Sequence, residues 1–228
     1  HGGPGTRGGE GIDTKHSNTG TVHNNTVHHL NRLGIYVDAW DTHTFNIRVY
    51  SNTVYENKSW GICLAAENGG LLENIHVYNN IAYGNYAIGI GVEGEDWGEN
   101  APHPMKDIYI YNNTSAFNGG KTSDWGVGIH IENHNADNVV IYNNIAAFNS
   151  SSQIEVESAP SNLSIKYNLI GYRYVDGGIF DWGTTEGANA VISDPLFVSA
   201  DNKDFHLTEN SPAIAHGLNQ DYPELDYD

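Results

Sequence analysis

Residues 74–85 read NIHVYNNIAYGN. Apolar Ile75 and Val77 alternate with His76 and Tyr78, two asparagines break the run, and a second short alternation ends on Asn85. Alternation over so few residues makes short half-buried strands, and paired asparagines make a bend. The theme recurs as NIRVYSNTVYEN (46–57), DIYIYNNTSAFN (107–118) and NVVIYNNIAAFN (138–149), and more loosely as TGTVHNNTVHHL (19–30) and NLSIKYNLIGYR (162–173). Asn25, Asn52, Asn80, Asn113, Asn144 and Asn168 hold one place in it, at steps of 27, 28, 33, 31 and 24 residues. Asn57, Asn85, Asn118 and Asn149 form a second row five residues later.

Each repeat also carries a second strand: GIDTK, GIYVD, GICLA, GIGVE, GIHIE and QIEVE. Ile12, Ile35, Ile62, Ile90, Ile129 and Ile154 share one register in it, so they point the same way. A period near 30 with two or three short strands describes a coil that stacks on itself, with like residues piled at ~4.8 Å per turn. Stacked asparagine amides satisfy backbone groups in a bend that would otherwise be buried unpaired. Tyr50, Tyr78, Tyr111 and Tyr142 form the matching aromatic pile.

Composition narrows the partners. Lys plus Arg number 10 against 28 Asp plus Glu, a net charge of −18, which excludes nucleic acid or an anionic membrane surface as the natural partner and suits cation binding. No run approaches the ~20 apolar residues of a membrane helix. The single Cys63 allows no internal disulfide.

Over roughly residues 9–175 the pattern resembles the right-handed parallel β-helix of the pectate-lyase-like superfamily. The resemblance implies an all-β solenoid of about seven turns over residues 1–190, with a C-terminal capping segment over 191–228. The tail DPLFVSADNKDFHLTENSPAIAHG (194–217) is similar to the closing segment of secreted bacterial β-helix proteins. A secreted or cell-surface bacterial protein is therefore expected. The first turn, HGGPGTRGGEG, carries no comparable cover, so further N-terminal turns or domains of a larger chain are expected there.

If the isoleucines point in, the alternate residues of the GIxVx strands point out: Asp13 and Lys15, Tyr36 and Asp38, Cys63 and Ala65, Gly91 and Glu93, His130 and Glu132, Glu155 and Glu157. Carboxylates stacked one turn apart repel, so a cation or a function must compensate them. The plainer expectation is an ordinary solvated face with Lys15 paired to Asp13 or Asp38. Small Cys63, Ala65, Ala66 and Gly91 predict a shallow trough between the carboxylates. The insertions EGEDWGENAPHPM (93–105) and NGGKTSDWG (118–126) follow this strand, and Trp40, Trp97 and Trp125 would wall a groove for sugar rings beside Tyr36 and His130.

Three chemistries fit. Asp13, with Asp38 and Asp41 on the next turn, resembles the aspartate calcium cluster of family-nine pectate lyases, which implies Ca²⁺ as cofactor, a polysaccharide substrate and β-elimination. The sequence departs from that family in having no Lys where its base would be expected; Lys15, on the first turn, is the candidate base left, and a carboxylate neighbour would keep it protonated. A glycoside hydrolase would need only two carboxylates at a set distance, and Asp38, Glu93 and Glu132 supply such pairs from stacked turns. A non-catalytic glycan-binding or structural module is the third. Elimination is expected ahead of hydrolysis, because the aspartate pattern is more specific than a carboxylate distance.

Overall fold

The computed structural model describes residues 9–94, 102–119, 125–172 and 184–219. The chain winds as a parallel β-helix of three sheets. The first sheet stacks Ile12–Lys15, Ile35–Asp38, Ile62–Ala65, Ile88–Val92, Val127–Ile131 and Ile154–Val156, each parallel to the next. The second stacks Asn18–His23, Thr44–Tyr50, Leu72–Tyr78, Met105–Tyr111, Ala136–Tyr142 and Ser164–Lys166. The third runs from Thr26–His28 through Thr53–Tyr55, Ile81–Tyr83, Thr114–Ala116 and Ile145–Ala147 to Leu169–Ile170 and Val191–Ile192. The inward rows meet in one apolar core that includes Ile35, Ile62, Ile90, Ile129 and Ile154 from the first sheet.

The bends explain the asparagines. Asn52, Asn80, Asn113 and Asn144 are each 1 % exposed, which places their side chains inside the coil as expected. In each, the Nδ2 donates to the Oδ1 one turn on, at 2.9–3.0 Å, and the backbone N–H donates to the same oxygen. The residue before each rung, such as Ser51, Asn79, Asn112 and Asn143, sits at φ 52–56°. Asparagine tolerates that left-handed geometry better than most residues, hence the doubled Asn. Tyr50, Tyr78, Tyr111 and Tyr142 stack with ring centroids 5.0 Å apart.

The second asparagine row runs Asn57 to Asn85 to Asn118 to Asn149 and ends on Gln153, whose Oε1 accepts from the Asn149 amide at 2.9 Å. Gly34, Gly61, Gly89 and Gly128, which open four of the GIxVx strands, sit against this row. A Cβ on Gly61 would lie 2.7 Å from Asn85 Nδ2, and one on Gly89 would lie 2.6 Å from Asn118 Nδ2. In the last copy, QIEVE, Gln153 takes the place of that glycine and is the last rung among the described residues.

The C-terminal segment first closes the last turn, where Thr184 bridges Glu155 and Ala188 bridges Lys166. It then forms an antiparallel hairpin, Phe197–Ser199 with Asp204–Leu207. Phe197 and Phe205 dock on Tyr83, Phe117 and Phe148 along the flank of the third sheet. The segment thus straps a side of the solenoid as well as pairing with its last described strands.

Candidate functional site

The outward face of the first sheet has the expected register. Asp13, Tyr36, Cys63, Gly91, His130 and Glu155 form one row. Lys15, Asp38 and Ala65 begin the other, and the backbone bonds of Glu93, Glu132 and Glu157 to the preceding strands continue it. The structure therefore brings Lys15, Asp38, Glu93 and Glu132 onto one face with Tyr36 and His130.

The shallow trough expected over the small residues is filled, and this corrects the sequence-based picture. Trp60, just ahead of its GIxVx strand, folds over the face and packs in a buried cluster with Tyr36, Cys63, Ala65, Ile88 and Val127. Its ring lies over Gly91, where a Cβ would come within 2.6 Å of Cζ3, and stands edge-on to His130 with centroids 6.1 Å apart. Gly91 is small because Trp60 needs the space. Gly91→Ala should cost about 1–3 kcal/mol through overpacking, and the cost should vanish in a Trp60→Ala background, as measured by urea unfolding. An equal cost in both backgrounds would place the strain elsewhere.

The floor of the face is titratable and dry. Among the described residues the buried Asp, Glu, His and Cys side chains are Asp38, Cys63, His103, His130 and Glu132; all but His103 lie on this face. Partly or fully exposed carboxylates rim them: Asp13, Glu67, Glu93, Glu155 and Glu157. Burial pushes the Asp38 carboxyl up, opposed by Lys15, whose Nζ stands 3.1 Å from Oδ2. Burial likewise raises Asp13 and Cys63, and the Glu67 carboxylate raises both further. The Cys63 thiol stays protonated and donates to Glu93 Oε2 at 3.3 Å. His130 is pushed down by burial, against the pull of Glu157.

Lys15 is a held cation. Burial opposes its charge, but Asp38, Asp13 and Glu67 together raise its proton affinity, and its Nζ lies 5.0 Å over the Trp40 ring. Lys15→Met would leave Asp38 as an uncompensated buried charge, and should cost about 1–3 kcal/mol, between surface and buried pairs. Lys15→Met with Asp38→Asn should recover most of that loss in urea unfolding; no recovery would mean that Lys15 acts mainly by packing.

Of the three aspartates matched to calcium, Asp38 pairs with Lys15 and Asp41 pairs with His16 at 2.9 Å, while Asp13 lies one turn before Tyr36. Trp40 is partly buried beside Lys15, Trp125 is 47 % exposed, and Trp97 lies outside the described residues. Trp60 and Glu67 were not picked out as site residues from sequence. The available signal for Trp60 was its place directly before a GI pair, facing a glycine on the adjacent strand of the sheet.

Fold and face together define a parallel β-helix protein with an acidic, partly buried outer sheet. Residues 5–98 match the family model described as the right handed beta helix region, and the coil is right-handed accordingly. Comparison with curated proteins and with solved structures gave no match.

Proposed function

We propose that the protein is a carbohydrate-active enzyme, secreted or on the cell surface, that cleaves an extracellular polysaccharide on the outward face of the first sheet. The observation that carries this is the gathering of Asp38, Cys63, His130 and Glu132, all buried, on one face of a solenoid. Buried titratable groups cost stability, and their concentration in one place marks a working site. Hydrolysis fits best. Glu93 and Glu132 stand on successive turns of one row, with backbones ~4.8 Å apart, a scaffold on which two carboxylates can face one glycosidic bond. Glu93 is the more accessible of the two and the better placed to meet a glycosidic oxygen.

Calcium-dependent elimination is the second reading. It is favoured by the repulsion of Glu67 with both Asp13 and Asp38, and of Glu10 with Asp13, which a divalent ion would relieve. It ranks below hydrolysis because Lys15, its base, is held protonated by Asp38. Digestion of a panel of neutral and uronate polysaccharides, with and without added calcium, tests both. New reducing ends without unsaturated product support hydrolysis, whereas ultraviolet-absorbing unsaturated uronates that require calcium support elimination. A polymer bound but never cleaved would make the protein a glycan-binding module instead.

A further inference from the structure

We infer that His130, Glu132 and Glu157 form a site for a divalent transition-metal ion of the zinc type. One donor atom from each lies within 4.8 Å of the other two. His130 Nδ1 is 3.8 Å from Glu132 Oε2, and Nε2 is 3.3 Å from Glu157 Oε2. The imidazole is wholly buried, and its contacts with the two carboxylates fall short of good hydrogen-bond geometry.

That arrangement contains a conflict that a metal resolves. A neutral imidazole carries one N–H, so only one of two flanking carboxylates can be its acceptor. The other carboxylate then faces a lone pair with its own lone pairs. A metal ion on that nitrogen removes the conflict and leaves the opposite N–H free to donate to the other carboxylate. Ligand atoms of a tetrahedral site with bonds of ~2.0–2.1 Å stand about 3.3 Å apart, and His130 and Glu157 already have this spacing. Glu157 has a side chain 56 % exposed and can rotate to complete the set.

The donors also choose the ion. Imidazole nitrogen suits zinc and its first-row neighbours, while calcium takes oxygen. The site is therefore distinct from any calcium held by Asp13, Asp38 and Asp41. It does not rest on polysaccharide cleavage: the ion sits between His130 and Glu157, and Glu132 supports the imidazole from the Nδ1 side without leaving its place beside Glu93.

The test is calorimetric titration of zinc into the metal-stripped full chain, without polysaccharide. One equivalent should bind, with affinity lost in His130→Ala and weakened at least ~10-fold in Glu157→Gln. Glu157 is exposed, so Glu157→Gln keeps the test meaningful should His130→Ala fail to fold. A double variant, His28→Ala with His29→Ala, removes the exposed pair whose Nδ1 atoms lie 2.6 Å apart and should leave this equivalent unchanged. Absence of zinc binding, zinc binding unaltered by Glu157→Gln, or loss of the equivalent with His28 and His29 would each overturn the site. Because no substrate is present, its failure leaves the cleavage proposal standing.

Discussion

Asn80→Leu is expected to lower stability by about 3–5 kcal/mol, near the upper limit for a single substitution. The Asn80 amide donates to Asn113 Oδ1, to the Val49 carbonyl and to the Tyr78 carbonyl, all within 3.0 Å. Its oxygen accepts from both the backbone and the side chain of Asn52. Leucine keeps the volume but strands several buried polar groups at once, each worth about 1–3 kcal/mol when orphaned. Asn74→Gly is the contrast. Asn74 is only partly buried, its φ is 54°, and its amide makes an outer bond to Asn46 at 2.7 Å. Glycine fits that backbone, so the cost should stay under about 1 kcal/mol. Equilibrium urea unfolding of both variants measures the difference, and equal costs would deny the inner row its structural weight.

Glu93→Gln is expected to reduce turnover of a cleaved polysaccharide by at least ~10²-fold with folding preserved. The amide keeps the shape of the side chain and still offers an oxygen to the Cys63 thiol, but it can neither give nor take a proton at neutral pH. Initial rates on the polymer identified by the digestion panel, with circular dichroism as the folding control, report the effect. Asp38→Asn separates roles further. Asp38 is fully buried against Lys15, so its loss should act through the geometry and charge of the floor, and its effect on rate should be smaller than that of Glu93→Gln. Full activity in Glu93→Gln would move the chemistry to another residue.

The repeat was legible because a solenoid writes its geometry once per turn. Asn52, Asn80, Asn113 and Asn144 could be aligned by eye, and the alternation around Ile35, Ile62 and Ile90 fixed which side chains point in. The glycine of GIxVx and Gln153 were visible too, yet their meaning depends on the asparagine row one strand away, a contact between distant positions. The candidate site was legible only in part. Register put Lys15, Asp38, Glu93 and Glu132 on one face, because register follows from period two. Burial of that face did not follow, because it depends on Trp60 leaning over Gly91, and nothing local in the sequence tells a side chain which way to lean. Asn46, Asn74 and Asn138, at the head of the second-sheet motif, are left-handed kinks whose amides reach the neighbouring turn, a role that alternation alone does not announce.

The most direct test is the crystal structure of the Glu93→Gln protein with an oligosaccharide of the polymer it binds. The sugar should cross the outward face of the first sheet, with one glycosidic oxygen within hydrogen-bond reach of residue 93 and a ring near Trp40 or Trp60. Sugar bound only on the second or third sheet would contradict cleavage at the first-sheet face.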